Sequence, residues 1–383
     1  MVGSSGRLIY FATAVTFCSL YAAQPIQPLF QAEFQLSSFQ AILFTTLMMA
    51  PLGVAPLFYG FLLEAVSARK MVRWALFALG VLELLFAFSE HYITLLSIRA
   101  VQGFMIPAIL TSIMSYISYS SENDKVQHAI ASYIGATIAG GFLGRFLSGL
   151  LTDLYGWRFF FILLGVLLIV CSYLLKGMVR DVKLNYVRPS PREVIKILQQ
   201  KTFFWLYATI FCLFFVFAAM MNFLPFELKE ISPNIGETSI GLLYLGYSMG
   251  IIVSLNSKHI ISLFGGEVEA IAAGIVLFGV GAILFFMQSY TVMFLSMFVF
   301  CAGLFTAHSL LSGYLSTLAK SNKAIANGLY ICFYYTGGTL GSILPGAIYQ
   351  AWGWYAFLCF LLFMISIACI CTFFLKKAVR QNC

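Results

Sequence analysis

Long, uninterrupted apolar runs dominate this chain of 383 residues and constrain its fold more than any other feature. A helix needs about 20 apolar residues to cross about 30 Å of hydrocarbon, and the runs have that length. They lack the alternation of apolar and polar residues that marks the strands of a membrane barrel. Since backbone polar groups must be satisfied inside a bilayer, we predict an all-α membrane protein. The composition agrees, because 61% of the residues are hydrophobic and only 9% are charged.

The apolar runs predict twelve transmembrane helices, arranged as two bundles of six. The longest polar stretch lies between the sixth and seventh runs, so we predict an N-terminal bundle at 1–176, a cytoplasmic linker at 177–201 and a C-terminal bundle at 202–383. Within the linker, Pro191 and Glu193 follow Ser190 in the pattern of a helix start, which predicts a short amphipathic helix on the membrane surface. The predicted spans are 8–31, 39–63, 71–89, 92–118, 128–150, 158–176, 202–224, 239–257, 267–288, 291–318, 325–349 and 354–375.

The basic residues are distributed unevenly among the predicted loops. With the N-terminus placed inside, 18 of the 22 lysines and arginines fall at cytoplasmic ends and loops. Positively charged residues favour the cytoplasmic side of a membrane, so the net charge of +8 reflects orientation rather than a nucleic-acid partner. An even number of spans then places both termini in the cytoplasm. We expect a multi-pass protein of a bacterial inner membrane.

The two halves of the chain resemble each other. A shift of 197 residues aligns the fifth span with the eleventh without gaps. Five glycines and one tryptophan of 140–157 then match the same residue types in 337–354. Two such six-helix repeats predict a pseudo-symmetric transporter whose substrate site lies between the halves. Gly140, Gly144, Gly337 and Gly341 form small-xxx-small patterns, which predict close helix packing that either is static or allows helices to slide.

Several short motifs give the chain a family resemblance. Residues 99–103 read RAVQG, which is similar to the RxxQG signature of the major facilitator superfamily and includes Gly103. Residues 140–145, GGFLGR, resemble the antiporter motif GPxxGG, with Gly141 in place of proline and Arg145 in place of the last glycine. Residues 60–70, with Glu64 and Arg69, resemble the loop motif GxxxDRxGRK.

The resemblance extends over essentially the whole chain and is greatest to the YnfM-like, or arabinose-efflux-like, branch of that superfamily. It implies a twelve-helix fold and transport by alternating access. It also implies that the first and fourth helices line the substrate cavity, which makes Arg99, Gln24 and Gln27 a candidate polar cluster for substrate or proton coupling. The alternative is that Arg99 only holds neighbouring helices together.

Few other polar side chains lie inside the predicted spans, where a charge costs at least about 2.5–3.5 kcal/mol. Arg145 is expected either to contact substrate or to form a gate or ion pair, with Asp153 or Glu33 as partner. Glu83 is the one acid well inside a span, and His308 has a side chain that can titrate near neutrality. These two residues are further coupling candidates, as is the hydroxyl of Tyr334, and each has a structural alternative as a packed or hydrogen-bonded residue.

These observations together predict a secondary transporter that exports a small organic solute in exchange for protons. Import of an organic anion, such as a carboxylate metabolite or a siderophore, is the alternative that the buried arginines suggest, and a non-transporting membrane receptor is an alternative of another class. No enzyme is expected. Residues 246–250, GYSMG, match the GxSxG pattern that surrounds a nucleophilic serine, but they lie mid-span, where the pattern indicates helix packing. The chain has no P-loop, and its nine cysteines show no metal-ligand spacing, so we expect no cofactor or metal. The expected partners are the solute, protons and the lipid bilayer, and the expected state is a monomer.

Overall fold

The fold was examined in a computed structural model, which describes residues 4–54, 66–120, 126–177, 191–319 and 323–382. Helices account for nearly all of these residues. In chain order they are α1 (Ser4–Tyr21), α2 (Gln27–Glu33), α3 (Ser38–Met49), α4 (Ala68–Phe88), α5 (Tyr92–Ser120), α6 (Val126–Tyr155), α7 (Trp157–Leu174), α8 (Pro191–Leu198), α9 (Lys201–Ile231), α10 (Glu237–Leu243), α11 (Met249–Leu255), α12 (Ser257–Phe264), α13 (Glu267–Leu284), α14 (Tyr290–Leu318), α15 (Lys323–Ile343) and α16 (Pro345–Asn382).

Ten helical segments among the described residues are long and apolar enough to cross a membrane. Two further helices complete the predicted twelve. One is the shorter apolar stretch Ser38–Gly53, which is followed by residues outside the described set. The other is α15, whose glycines and tyrosines lower its hydropathy although its 21 residues suffice for a crossing. The predicted all-α fold of twelve transmembrane helices is confirmed.

Prolines and one glycine interrupt spans that were predicted to be continuous. The first span breaks after Tyr21 into the 3-10 turn Gln24–Ile26, because Pro25 and Pro28 lack the N–H of a regular helix. The predicted span 325–349 ends at Ile343, and Pro345 begins the next helix for the same reason. The eighth span narrows to a 3-10 helix over Tyr244–Ser248, where a side chain on Gly246 would meet Met297.

The chain divides into two compact units. The first comprises Met1–Arg188 with Ile235–Leu242, and the second comprises Pro189–Asn234 with Leu243–Cys383. In the first unit, α1 packs along α6, and α4 packs against α5 and α7. In the second unit, α9 packs along α15 and α16, and α13 packs along α14. The short helix α8 forms inside the segment predicted as a linker, whereas the linker's bounds and its place on the membrane stay predictions.

Both units contain the same close helix contact, in the register that the repeat predicts. A Cβ added to Gly140 or Gly144 of α6 would strike the backbone of α1, and one added to Gly337 or Gly341 of α15 would strike the backbone of α9. The residues struck are Ala14, Cys18, Phe211 and Phe215, so the partners are also 197 residues apart. Gly144 and Gly341 therefore occupy equivalent places against a neighbouring backbone, and the repeat extends to a second pair of helices.

The repeat also fixes the turns that follow these helices. Gly156 has a φ of 82° and Gly353 a φ of 76°, a conformation that glycine adopts without the cost a Cβ would bring. The tryptophan after each glycine is buried, with 3% of Trp157 and 3% of Trp354 exposed. Each indole N–H donates a hydrogen bond inside its own unit, from Trp157 to Glu33 and from Trp354 to the carbonyl of Phe285.

Candidate functional site

A buried ion pair forms the centre of the first unit. Arg99 of α5 and Glu83 of α4 are both 0% exposed, and the Arg99 Nη1 lies 3.7 Å from the Glu83 Oε1. The hydroxyl of Ser19, on α1, donates a hydrogen bond to the same carboxylate oxygen. Arg99 Nη1 also lies 3.0 Å from Gln102 Oε1 and 2.7 Å from Met48 Sδ. The pair therefore links helices α1, α3, α4 and α5.

Aromatic rings close this ion pair off from its surroundings. The guanidinium carbon of Arg99 lies 4.0 Å from the ring centre of Phe86 and 4.8 Å from that of Phe161. A cation over an aromatic face is attracted by the ring, which offsets part of the cost of burying the charge. Among the described residues, Arg99 Nε, Arg99 Nη2 and Glu83 Oε2 have no hydrogen-bond partner. The cluster is thus polar, enclosed and incompletely satisfied, and buried groups without a partner are uncommon enough to make it a candidate site.

A second cluster surrounds Arg145 on α6. Its Nε donates to Gln24 Oε1 at 2.6 Å, its Nη1 donates to the carbonyl of Gly141 at 2.7 Å, and its guanidinium carbon lies 4.0 Å from the ring centre of Tyr21. The break after Tyr21 places Gln24 here, and the tight contact at Gly144 brings α6 close enough to α1 for the bond to form. Only 1% of Arg145 is exposed.

The predicted cluster of Arg99, Gln24 and Gln27 is not formed. Within the described residues, Arg99 makes no hydrogen bond to either glutamine, and Gln24 bonds to Arg145 instead. Gln27 Nε2 donates to the hydroxyl of Thr45 at 2.9 Å. The sequence indicated the depth of these side chains but not the helix faces on which they lie, because the first span is interrupted after Tyr21 and does not continue as one regular helix.

The end of α6 is bonded to the start of α10. Asp153 Oδ1 accepts a hydrogen bond from the backbone N–H of Glu237 at 3.0 Å. Asp153 Oδ2 accepts two more from Thr238, one from its N–H at 2.8 Å and one from its hydroxyl at 2.6 Å. Nearby, Glu33 accepts hydrogen bonds from Trp157 at 2.8 Å and Arg158 at 3.0 Å. The carboxylate of Asp153 therefore caps a helix of the same compact unit.

The remaining packing candidates fall into two groups. A Cβ on Gly103 would lie 2.6 Å from the carbonyl oxygen of Leu47, so this glycine permits the close approach of α5 to α3. Arg69 lies near the start of α4 and is half-buried. Glu64 lies outside the described residues, so the structure describes only residues 66–70 of the loop motif at 60–70.

His308 belongs to an aromatic cluster in the second unit. Its Nδ1 lies 2.8 Å from the hydroxyl of Tyr330, and that hydroxyl lies 3.1 Å from the carbonyl oxygen of His308 itself. The ring of Tyr334 lies 4.9 Å from the imidazole and stacks on Phe214 at 3.6 Å. The structure thus brings together His308 and Tyr334, which the sequence had named separately.

A polar face along the C-terminal half of α14 was not recognised from the sequence. It consists of the half-buried or exposed residues His308, Ser309, Ser312, Gly313, Ser316 and Thr317. The signal is present in the sequence HSLLSGYLST at 308–317, where polar residues or glycine recur in pairs every four residues. The average hydropathy of the whole span conceals it. No group of three metal-binding side chains was found among the described residues.

Comparison with known proteins identifies the family. The model of the Major Facilitator Superfamily matches residues 9–268, about two thirds of the chain. The chain belongs to the major facilitator superfamily. Its fold and its relatives are those of transporters, not of enzymes.

The relatives match the chain over nearly its full length. The inner membrane transport protein YnfM of Escherichia coli is 27% identical over 368 residues, which cover 94% of this chain and 87% of that protein. The uncharacterized MFS-type transporter YybF of Bacillus subtilis is 25% identical over 374 residues, which cover 96% of this chain and 92% of that protein.

A solved structure shows the same fold. A bacterial homolog of the human lysosomal transporter Spinster, in an inward-facing and occupied conformation, aligns with a TM-score of 0.78 at 12% identity. The alignment covers 98% of this chain and 96% of that chain. At this identity the likeness concerns the fold alone.

Proposed function

We propose that this member of the superfamily is a secondary active transporter that exports a small organic solute in exchange for protons by alternating access. It works in the bacterial inner membrane as a monomer, with both termini in the cytoplasm. The family and the transporter relatives support transport in general. The direction, the coupling ion and the solute class are our inference from the sites described above.

The buried pair of Glu83 and Arg99 is the observation that carries proton coupling. A charge inside hydrocarbon costs at least about 2.5–3.5 kcal/mol, and such residues commonly serve as proton relays. Protonation of Glu83 removes its negative charge and weakens the attraction that joins α4 to α5. Ser19 can donate to the carboxylate or accept from the carboxylic acid, so α1 can follow either state. Proton binding is thereby linked to the packing of three helices.

Export rather than import is supported by the segment 140–145. This segment resembles the antiporter motif, and its glycines hold α6 against the backbone of α1. An antiporter must not let protons pass without solute. A tight contact between α1, which carries Ser19, and α6, which carries Arg145, lets the proton site and the second polar cluster move together.

Import of an organic anion stays the alternative. The hypothesis of anion import requires that the charges of Arg99 and Arg145 are available to a substrate. The ion pair with Glu83 and the absence of exposure at Arg99 weaken it, because the carboxylate already balances one of the two charges. A neutral solute is therefore the better-supported substrate.

The test begins with growth of an expressing strain and a deletion strain on an array of toxic and nutrient compounds. Compounds that separate the two strains are then added to proteoliposomes that contain purified protein and a pH-sensitive dye. We expect the addition of solute to move protons across the membrane, with no response in empty liposomes. Solute movement without any proton flux would exclude proton exchange and leave facilitated transport.

A further inference from the structure

The C-terminal half of α14 has two faces of opposite character. The buried face consists of apolar residues and one tyrosine, namely Ala307, Leu310, Leu311, Tyr314 and Leu315. The opposite face is the polar face defined above, from His308 to Thr317, and each of its six residues is half-buried or exposed. A helix of this membrane protein thus carries a continuous strip of polar groups that remains at least partly exposed.

This polar face is unsuited to lipid. Polar side chains within membrane spans commonly face the bundle interior or a water-filled space, because hydrocarbon offers no hydrogen-bond donor to their lone pairs. Beside Gly313 there is also open space, since a Cβ added to this residue would have no neighbour within 4 Å. We therefore infer that water or solute lies along this face.

The hydroxyl groups of the face are turned toward their own helix. Ser312 Oγ donates to the carbonyl of Ser309 at 3.1 Å, Ser316 Oγ to that of Ser312 at 3.1 Å, and Thr317 Oγ1 to that of Tyr314 at 2.8 Å. Each hydroxyl has one proton, so its lone pairs are what remain for a neighbour. The face therefore presents mainly hydrogen-bond acceptors.

The hydrogen bonds of His308 assign its tautomer. Two bonds form if Nδ1–H donates to the Tyr330 oxygen while the Tyr330 hydroxyl donates to the carbonyl of His308. Only one forms if the hydroxyl donates to Nδ1 instead. The first arrangement is favoured because a buried polar group gains from each bond it makes. It leaves Nε2 without a proton, as an acceptor on the edge of the ring away from Tyr330.

The imidazole is also held in place by its neighbours. The ring of Tyr330 is nearly parallel to it, at 22° and 5.7 Å, and the ring of Tyr334 packs against it at 4.9 Å. A histidine fixed by packing and by a hydrogen bond at Nδ1 presents its Nε2 in a defined direction. Such an arrangement suits recognition of a bound group.

We propose that His308 Nε2 recognises the solute by accepting a hydrogen bond from an N–H or O–H group on an uncharged organic molecule. This inference rests on the proposed function, that the chain transports a small organic solute. It also specifies the solute further, since a face of lone pairs disfavours a carboxylate. Methylation of the donor removes the bond and leaves Nε2 facing a methyl group in the bound complex.

Matched pairs of compounds test the proposal on the full-length protein purified in detergent. The pairs are indole and 1-methylindole, benzimidazole and 1-methylbenzimidazole, and theophylline and caffeine, each differing by one N-methyl group. We expect at least one parent to bind about tenfold more tightly than its methylated partner, as loss of one hydrogen bond in the bound complex implies. Equal binding within every pair, or no binding of any parent, would overturn the proposal.

Variants separate recognition from a structural role of the histidine. In His308→Leu the preference for the parent compound should fall to about onefold, whereas in the matched control His259→Leu, at an exposed histidine of α12, it should persist. Tyr330→Phe should reduce the preference, because Nδ1 then loses the partner that fixes the tautomer. A variant with lowered thermal stability but an unchanged preference would show that His308 only packs, and the wild-type comparison stands even if His308→Leu does not fold. The binding ratio is measured without a proton gradient, so it is independent of the proton-flux test of the proposed function.

Discussion

At the scale of single residues, the enclosed pair of Glu83 and Arg99 dominates the chemistry of the first unit. The sequence indicated both residues as candidates, because each is a charge inside an apolar run. It did not show that they pair, since they lie on different helices and pairing depends on the rotation of each helix. Ser19 and Met48, which complete the cluster, gave no signal, because serine and methionine are common in such spans.

A double-mutant cycle tests whether this pair is coupled. Removing one partner of a buried ion pair leaves an uncompensated charge and costs about 3–5 kcal/mol. We expect Arg99→Leu and Glu83→Leu each to lower the thermal stability of the purified protein, and the double variant to be more stable than either. Additive losses in the double variant would show that the two side chains do not interact.

At the scale of helices, glycines decide which elements approach closely. The repeat and the small-xxx-small patterns could be predicted from the sequence, because they depend on residue identity at fixed spacing. The breaks at Tyr21 and Ile343 were foreseeable from Pro25 and Pro345, but the apolar runs cross both prolines and concealed them. The contact of α6 with α10 was not predictable, since nothing local indicates which helix an aspartate will cap.

Large side chains at the repeat glycines should block transport. In Gly144→Leu the new side chain would meet the backbone of Cys18, whose Cα lies 2.5 Å from an added Cβ, and in Gly341→Leu it would meet that of Phe215. We expect both variants to insert in the membrane and to lose most solute flux. Gly135→Leu is the matched control, because an added Cβ there has no neighbour within 4 Å. Normal transport by both repeat variants would show that the contacts are dispensable.

The cap on α10 should contribute measurably to stability. Replacing a capping side chain by alanine typically costs about 0.5–2 kcal/mol. We expect Asp153→Ala to lower the midpoint of thermal unfolding, and Asp153→Asn to lower it less, because asparagine keeps one oxygen acceptor for the N–H groups of Glu237 and Thr238. Equal midpoints for wild type and Asp153→Ala would show that the Asp153 carboxylate does not stabilise the protein by capping α10.

At the scale of the whole molecule, the number of spans, the family and the internal repeat could be predicted because each sums over many residues. The polar face of α14 could also have been recognised from the spacing of its polar residues. It was missed because the span was judged by its average hydropathy. Orientation in the membrane rests on charge alone and stays a prediction. Reporter fusions at Ser190 and Gln381 should both report the cytoplasm, and a periplasmic signal at either would contradict the twelve-span arrangement.

The most direct test of the central claim compares Glu83→Gln with wild type in proteoliposomes, using a solute identified by the growth array. Wild type should accumulate the solute against its gradient when a pH gradient is imposed. Glu83→Gln should lose this accumulation but keep solute-for-solute counterflow, because a glutamine cannot exchange a proton yet preserves the shape of the site. Glu269→Gln, at a surface pair with Lys376, is the control and should behave as wild type. Accumulation by Glu83→Gln at the wild-type rate and extent would contradict the account.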